Sequence, residues 1–145
     1  VTTSPEPVPT DANGIPDPCA TPDGETKRTF KLWAGEPQGT GEPGTGKPWL
    51  RMCRWSPPGW GSGHLMLTYA SLEITMQSGA TRSPASGPGL PPSAQMARSS
   101  TNCLIQWPAS FANVGVNAYK PDASGSDICE QVTSFAGRLA PRIPK

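Results

Sequence analysis

Four cysteines, Cys19, Cys53, Cys103 and Cys129, constrain this chain more than any other feature. None belongs to a C-x-x-C pair, and structural zinc sites draw their ligands from such close pairs. An even number of widely spaced cysteines reads instead as two disulfides formed in an oxidising compartment. Such cross-links offset a thin core, and a thin core is what the composition supplies. Only 34% of the 145 residues are hydrophobic, and 19 prolines with 16 glycines break helices and strands too often for a large helical bundle. Each disulfide would close a loop of tens of residues, worth roughly 3 to 4 kcal/mol in the chain-entropy account. Three pairings are open to four cysteines. Pairing of sequence neighbours, Cys19 with Cys53 and Cys103 with Cys129, is the expectation, since the second bond would staple the last helix to a sheet.

Charge says less. Twelve basic and eleven acidic residues leave a net charge of +1, and this near-balance argues against nucleic acid or an anionic membrane as the main partner. No signal peptide and no apolar stretch of membrane-spanning length occurs in these residues, so the expected form is a mature chain or one trimmed after its export signal.

The expected organisation is a disordered Pro-rich tether over residues 1–18, followed by a single disulfide-stabilised α+β domain over 19–145. Residues 29–33 read as a short helix or strand. Residues 35–48 read as an exposed loop, in which 41–47 match seven places of the phosphate-loop pattern G-x-x-x-x-G-K-[ST]. Pro48 occupies the hydroxyl position of that pattern, and no strand precedes it or helix follows it, so nucleotide binding is not expected. Residues 50–55 read as a strand. In 64–77, Leu65, Leu67 and Tyr69 share one parity and Leu72, Ile74 and Met76 the other, which predicts two strands or one with a bulge near Ala70. Residues 79–92 read as a long loop. Residues 101–107 and 111–119 alternate as the two arms of a hairpin. Residues 127–139 carry Ile128, Val132, Phe135, Ala136 and Leu139 at helical spacing, with Asp127 and Glu130 as a capping pair and Pro141 as the stop. The expected fold is a small antiparallel sheet covered by that C-terminal helix, with long Pro/Gly loops.

The four cysteine contexts come in a definite order: Asp17-Pro18-Cys19, Cys53-Arg54-Trp55-Ser56, Asn102-Cys103-Leu104-Ile105, and Asp127-Ile128-Cys129-Glu130 opening a helix that runs towards Arg142-Ile143-Pro144. This order resembles a family of four-cysteine actinobacterial, mycobacterial-type envelope lipoproteins of the domain-of-unknown-function kind, similar to LprB and LprC. The resemblance implies an extracytoplasmic domain, secreted or lipid-anchored at the outer face of the plasma membrane, with no chemistry to carry over. In architecture alone, the chain is also similar to extracellular sensor domains of actinobacterial membrane kinases.

Catalysis has little to work with. His64 is the one histidine, no G-x-S-x-G elbow is present, and the thiols are expected to be oxidised. Neither a metal nor another cofactor is expected. Five tryptophans favour binding instead. Trp55 and Trp107, in strands beside cysteines, are expected in the core. Trp49 and Trp60 flank Pro and Gly runs where an amphipathic ring can meet a partner protein, a glycan or a lipid. Arg51 and Arg54, straddling Cys53, are candidates to present a guanidinium to a carboxylate or phosphate. The expectation is a non-catalytic binding or accessory subunit at the cell envelope, partnered by an envelope or membrane protein. The alternative is a carrier or sensor holding a small apolar ligand between sheet and helix, lined by Leu65, Leu67, Met76 and Phe135.

Overall fold

A computed structural model describes residues 7–12, 14–38, 49–71, 81–121 and 125–145. Among the described residues, seven strands form one antiparallel sheet: β1 (Glu36–Gln38), β2 (Trp49–Trp55), β3 (His64–Ala70), β4 (Thr81–Pro84), β5 (Gln95–Arg98), β6 (Asn102–Pro108) and β7 (Asn113–Tyr119). Their spatial order is β1-β2-β3-β7-β6-β5-β4. Two meanders, one of three strands and one of four, are thus joined along β3 and β7, which pair over their full lengths from His64 with Tyr119 to Ala70 with Asn113.

The period-2 pattern decides which face is buried. Leu65, Leu67 and Tyr69 on β3, Val114, Val116 and Ala118 on β7, and Cys103, Ile105 and Trp107 on β6 all point to one face and are buried. Helix α2 (Gly125–Leu139) lies across that face, with Ile128, Val132, Phe135, Ala136 and Leu139 sealed against it. Phe135 meets Trp55 edge-on with ring centroids 5.8 Å apart, and meets Phe30 at 5.1 Å. Each large apolar side chain sealed in this way contributes about 1.5 to 3 kcal/mol. The α+β expectation holds, and so do the core positions of Trp55 and Trp107.

Both expected disulfides are present. Cys103–Cys129 ties β6 to α2, and Cys19–Cys53 ties a 3-10 turn (Pro18–Ala20) to β2. The expected hairpin over 101–119 is β6–β7, closed by the Ala109 amide donating to the Ala112 carbonyl.

Several elements depart from expectation. Of residues 29–33, only Thr29 and Phe30 are helical, as the end of a helix that starts earlier, α1 (Gly24–Phe30), where Asp23 caps it by accepting from the Thr26 amide at 2.8 Å. Lys31 then leaves the helix in the left-handed region. The loops expected over 35–48 and 79–92 contain the edge strands β1 and β4, and β5 was not foreseen. All four β4 residues are exposed, so no apolar alternation announces them. Pro37 and Pro84 sit on these outermost strands, where a missing amide blunts pairing with another chain. Folded contacts also reach upstream of Cys19, into the stretch read as tether. Ile15 packs in the core, Thr10 bridges Pro16, and Asp17 caps the 3-10 turn. Helix α2 begins at Gly125, which places Asp127 inside the first turn and not at the cap. The phosphate-loop look-alike at 41–47 and the second apolar parity, Leu72, Ile74 and Met76, lie outside the described residues.

Candidate functional site

All described helical elements that contact the sheet lie on its Tyr69/Val116 face. The opposite face carries the alternate residues. Two adjacent rows run across it in register: His64, Tyr119 and Asn102, then Glu36, Arg54, Met66, Asn117 and Leu104. Towards β5 this face closes, with Leu104, Gln106 and Ala97 buried. Towards β2, β3 and β7 it is half-open: Arg54, Met66, His64, Asn117 and Tyr119 are each only partly covered.

Backbone geometry gathers this end. The β2–β3 connection turns through Gly59 and Gly61, both at positive φ. It then brings Gly63 so close to β7 that a Cβ there would stand 2.6 Å from the Tyr119 carbonyl oxygen and 2.9 Å from that of Trp60. That approach seats half-buried Trp60 beside Lys120, whose Nζ lies 5.0 Å from the ring centroid, a cation–π contact. His64 and Tyr119, directly paired across β3 and β7, bring their rings to 5.2 Å at a 37° tilt. Arg54 donates from Nη2 to Glu36 Oε2 at 2.9 Å, while its Nε is buried without a hydrogen bond. Burial, and then the Arg54 charge, hold the His64 imidazole below the usual histidine range, so it is neutral at pH 7. Two side-chain amide bonds brace the face: Asn117 Nδ2 to Asn102 Oδ1 at 3.2 Å, and Asn113 Nδ2 to Gln106 Oε1 at 2.9 Å.

The sequence-predicted candidates separate. Trp60 and Arg54 come to this end of the sheet. Arg51 does not, because three positions along a strand reverse the face. It points to the helical side, donating to the Ile15 carbonyl at 3.0 Å and pairing with Asp17 at 3.6 Å. Arg51 and Arg54 therefore form no joint guanidinium site. Trp49 pairs with Ala70 at the start of β2, and its side chain lies outside the described residues. Tyr119, Lys120, Asn117 and Glu36 were missed. Alternation along β7 already turns Tyr119 and Asn117 away from Val116 and Ala118, but only the β3–β7 pairing sets them beside His64.

The pocket expected between sheet and helix is filled at its described residues: Leu65, Leu67 and Phe135 are fully buried in close packing. An open cavity of about 650 Å³ lies elsewhere, between α2 and the turn at 86–89, lined by Gly87, Pro88, Met96, Cys129, Glu130 and Thr133 among others. Among the described residues no cluster of three or more metal-ligating side chains occurs, and no helix is long and apolar enough to cross a membrane. The two disulfides are consistent with an oxidising, extracytoplasmic setting. Comparison with protein-family models, with curated proteins and with solved structures finds no match.

Proposed function

We propose that this chain is a non-catalytic, extracytoplasmic binding or accessory domain of the cell envelope, of the lipoprotein-like kind, and that it docks a partner protein on the half-open sheet end around His64, Tyr119 and Trp60. The observation that carries the reading is the sheet face opposite the helices. Aromatic rings, an amide-braced floor and one guanidinium stand together there, half-covered, on rigid central strands, the mix that interface centres favour. Catalysis has weaker support, since His64 bonds to no carboxylate or hydroxyl among the described residues and faces a tyrosine ring instead.

A photo-crosslinking amino acid placed at His64, in cells, is expected to capture one envelope protein, and Trp60→Ala is expected to abolish capture. The same probe at exposed Ser134 on α2 is the control. Capture equal from both positions, or from neither, overturns the reading.

The open cavity favours a second reading, a carrier of a small apolar molecule, since its volume is in the range of ligand sites. Native mass spectrometry of protein drawn gently from its envelope would then show an added mass of a few hundred daltons, on the order of a drug-sized ligand, that Thr133→Trp removes. A bare mass in both forms removes the carrier reading.

A further inference from the structure

Trp33 is the one large hydrophobic side chain among the described residues that stands exposed, at 67%. It does not stand alone. Helix α1 turns Thr26 inwards, and Leu32 is buried just after it, so Lys27, Arg28 and Lys31 fall within one arc of the opposite side. Trp33 lies two residues beyond Lys31, within about 7 Å along the backbone. Arg28 and Lys31 are exposed and Lys27 is partly so, and among the described residues none of the three has an ion pair or hydrogen-bond partner through its side chain. The acids nearby are engaged elsewhere: Glu25 pairs with Arg138 at 3.8 Å, Asp23 caps the helix, and Glu36 holds Arg54.

We infer that the Lys27–Arg28–Lys31–Trp33 knuckle is a peripheral contact for an anionic lipid surface. An indole beside long cationic side chains suits the headgroup layer, where the ring sits at the boundary and the amines reach lipid phosphates. A protein partner would need to wrap a protruding ring, and the cavity against α2 is lined by none of these four residues. The net charge of +1 argues against an anionic membrane as the main partner, but a peripheral contact needs only a local cluster, since screening beyond roughly 8 to 10 Å makes that cluster count for more than the whole-chain sum. The inference is independent of the partner site, to whose rows on the sheet none of these four residues belongs.

Co-sedimentation of the full chain with phosphatidylglycerol-rich vesicles tests it, with pure phosphatidylcholine vesicles as reference. Binding is expected to the anionic vesicles only, weakening with salt. It should fall about fivefold for each of Lys27→Gln, Arg28→Gln and Lys31→Gln. Tryptophan emission should shift blue on binding, and Trp33→Phe should remove that shift while the other four tryptophans remain. None of the four side chains belongs to the core, and an unchanged melting curve verifies folding of each variant. Absent binding, equal binding to both vesicles, or binding unaltered in the variants overturns the inference. So does capture of polyglutamate through these residues without vesicle binding, which would assign the knuckle to an acidic protein.

Discussion

His64 shows how one side chain reports its surroundings. Burial, followed by the nearby Arg54 charge, lowers its folded-state affinity for a proton below that of the unfolded chain. A depressed folded pKa adds stability that is fully present above the unfolded value of 6.5 and is lost as pH falls through the folded value, because the unfolded chain then binds the extra proton. Melting temperature should therefore drop between neutral and mildly acidic pH, and His64→Gln should flatten the curve in that window. Equal slopes in wild type and variant would show that the imidazole is not held neutral. Asp23 acts in a separate window. Hydrogen bonds from Thr26 lower its pKa below 3.8, so its contribution fades only in strong acid.

Helix α2 carries a glycine where helix propensity argues against one. In an exposed helix, Gly to Ala gains about 1 kcal/mol. At Gly137 the sign should reverse, because the Pro88 carbonyl oxygen occupies the space a Cβ would take, and Gly89, at positive φ, faces the Gly137 carbonyl in return. Backbone thus packs on backbone, which pins the 86–89 turn to the helix and shapes the cavity beside it. Gly137→Ala is expected to destabilise by about 1 to 3 kcal/mol in urea denaturation, and a gain in stability would mean that the turn yields easily. The edge strands teach the converse. Glu36–Gln38 and Thr81–Pro84 were invisible in the sequence because a short edge strand can pair through a neighbour's backbone without any apolar alternation of its own.

Distant chain segments are held together by a few long-range ties. Arg142, the end of a 3-10 turn (Ala140–Arg142), donates to the Thr21 and Ala20 carbonyls. Arg51 holds Ile15 and Asp17, Tyr69 bonds the Thr21 hydroxyl at 3.1 Å, and Cys19–Cys53 closes the same corner. Buried Tyr69, its phenol pushed up to about 12 chiefly by burial, stays neutral throughout. Charge-assisted bonds of the Arg142 type are worth about 1.5 to 3 kcal/mol, so Arg142→Ala should lower stability by that amount. It should also expose the segment around Cys19 to protease while the sheet stays protected in hydrogen exchange. Arg142→Ala combined with Arg51→Ala should depart from additivity, since both grip one segment. Uniform loss of protection across the sheet would mean that the corner and the sheet unfold as one unit.

Read alone, the order of residues settles much of this molecule. Alternation in β3, β6 and β7 and the 3.6-residue period of α2 name the buried face, and cysteine spacing points to the pairing found. These are local signals, written by a solvent that removes apolar groups at each element's own period. The candidate site is different in kind. Arg54 and Trp60 could be nominated from their neighbours in sequence, but Arg51 was nominated with them and faces the other way. Tyr119 and Lys120 reach His64 and Trp60 only because β3 pairs with β7 across some fifty residues of chain. Such a pairing is chosen by the joint packing of two meanders under one helix, an energy that no single segment contains.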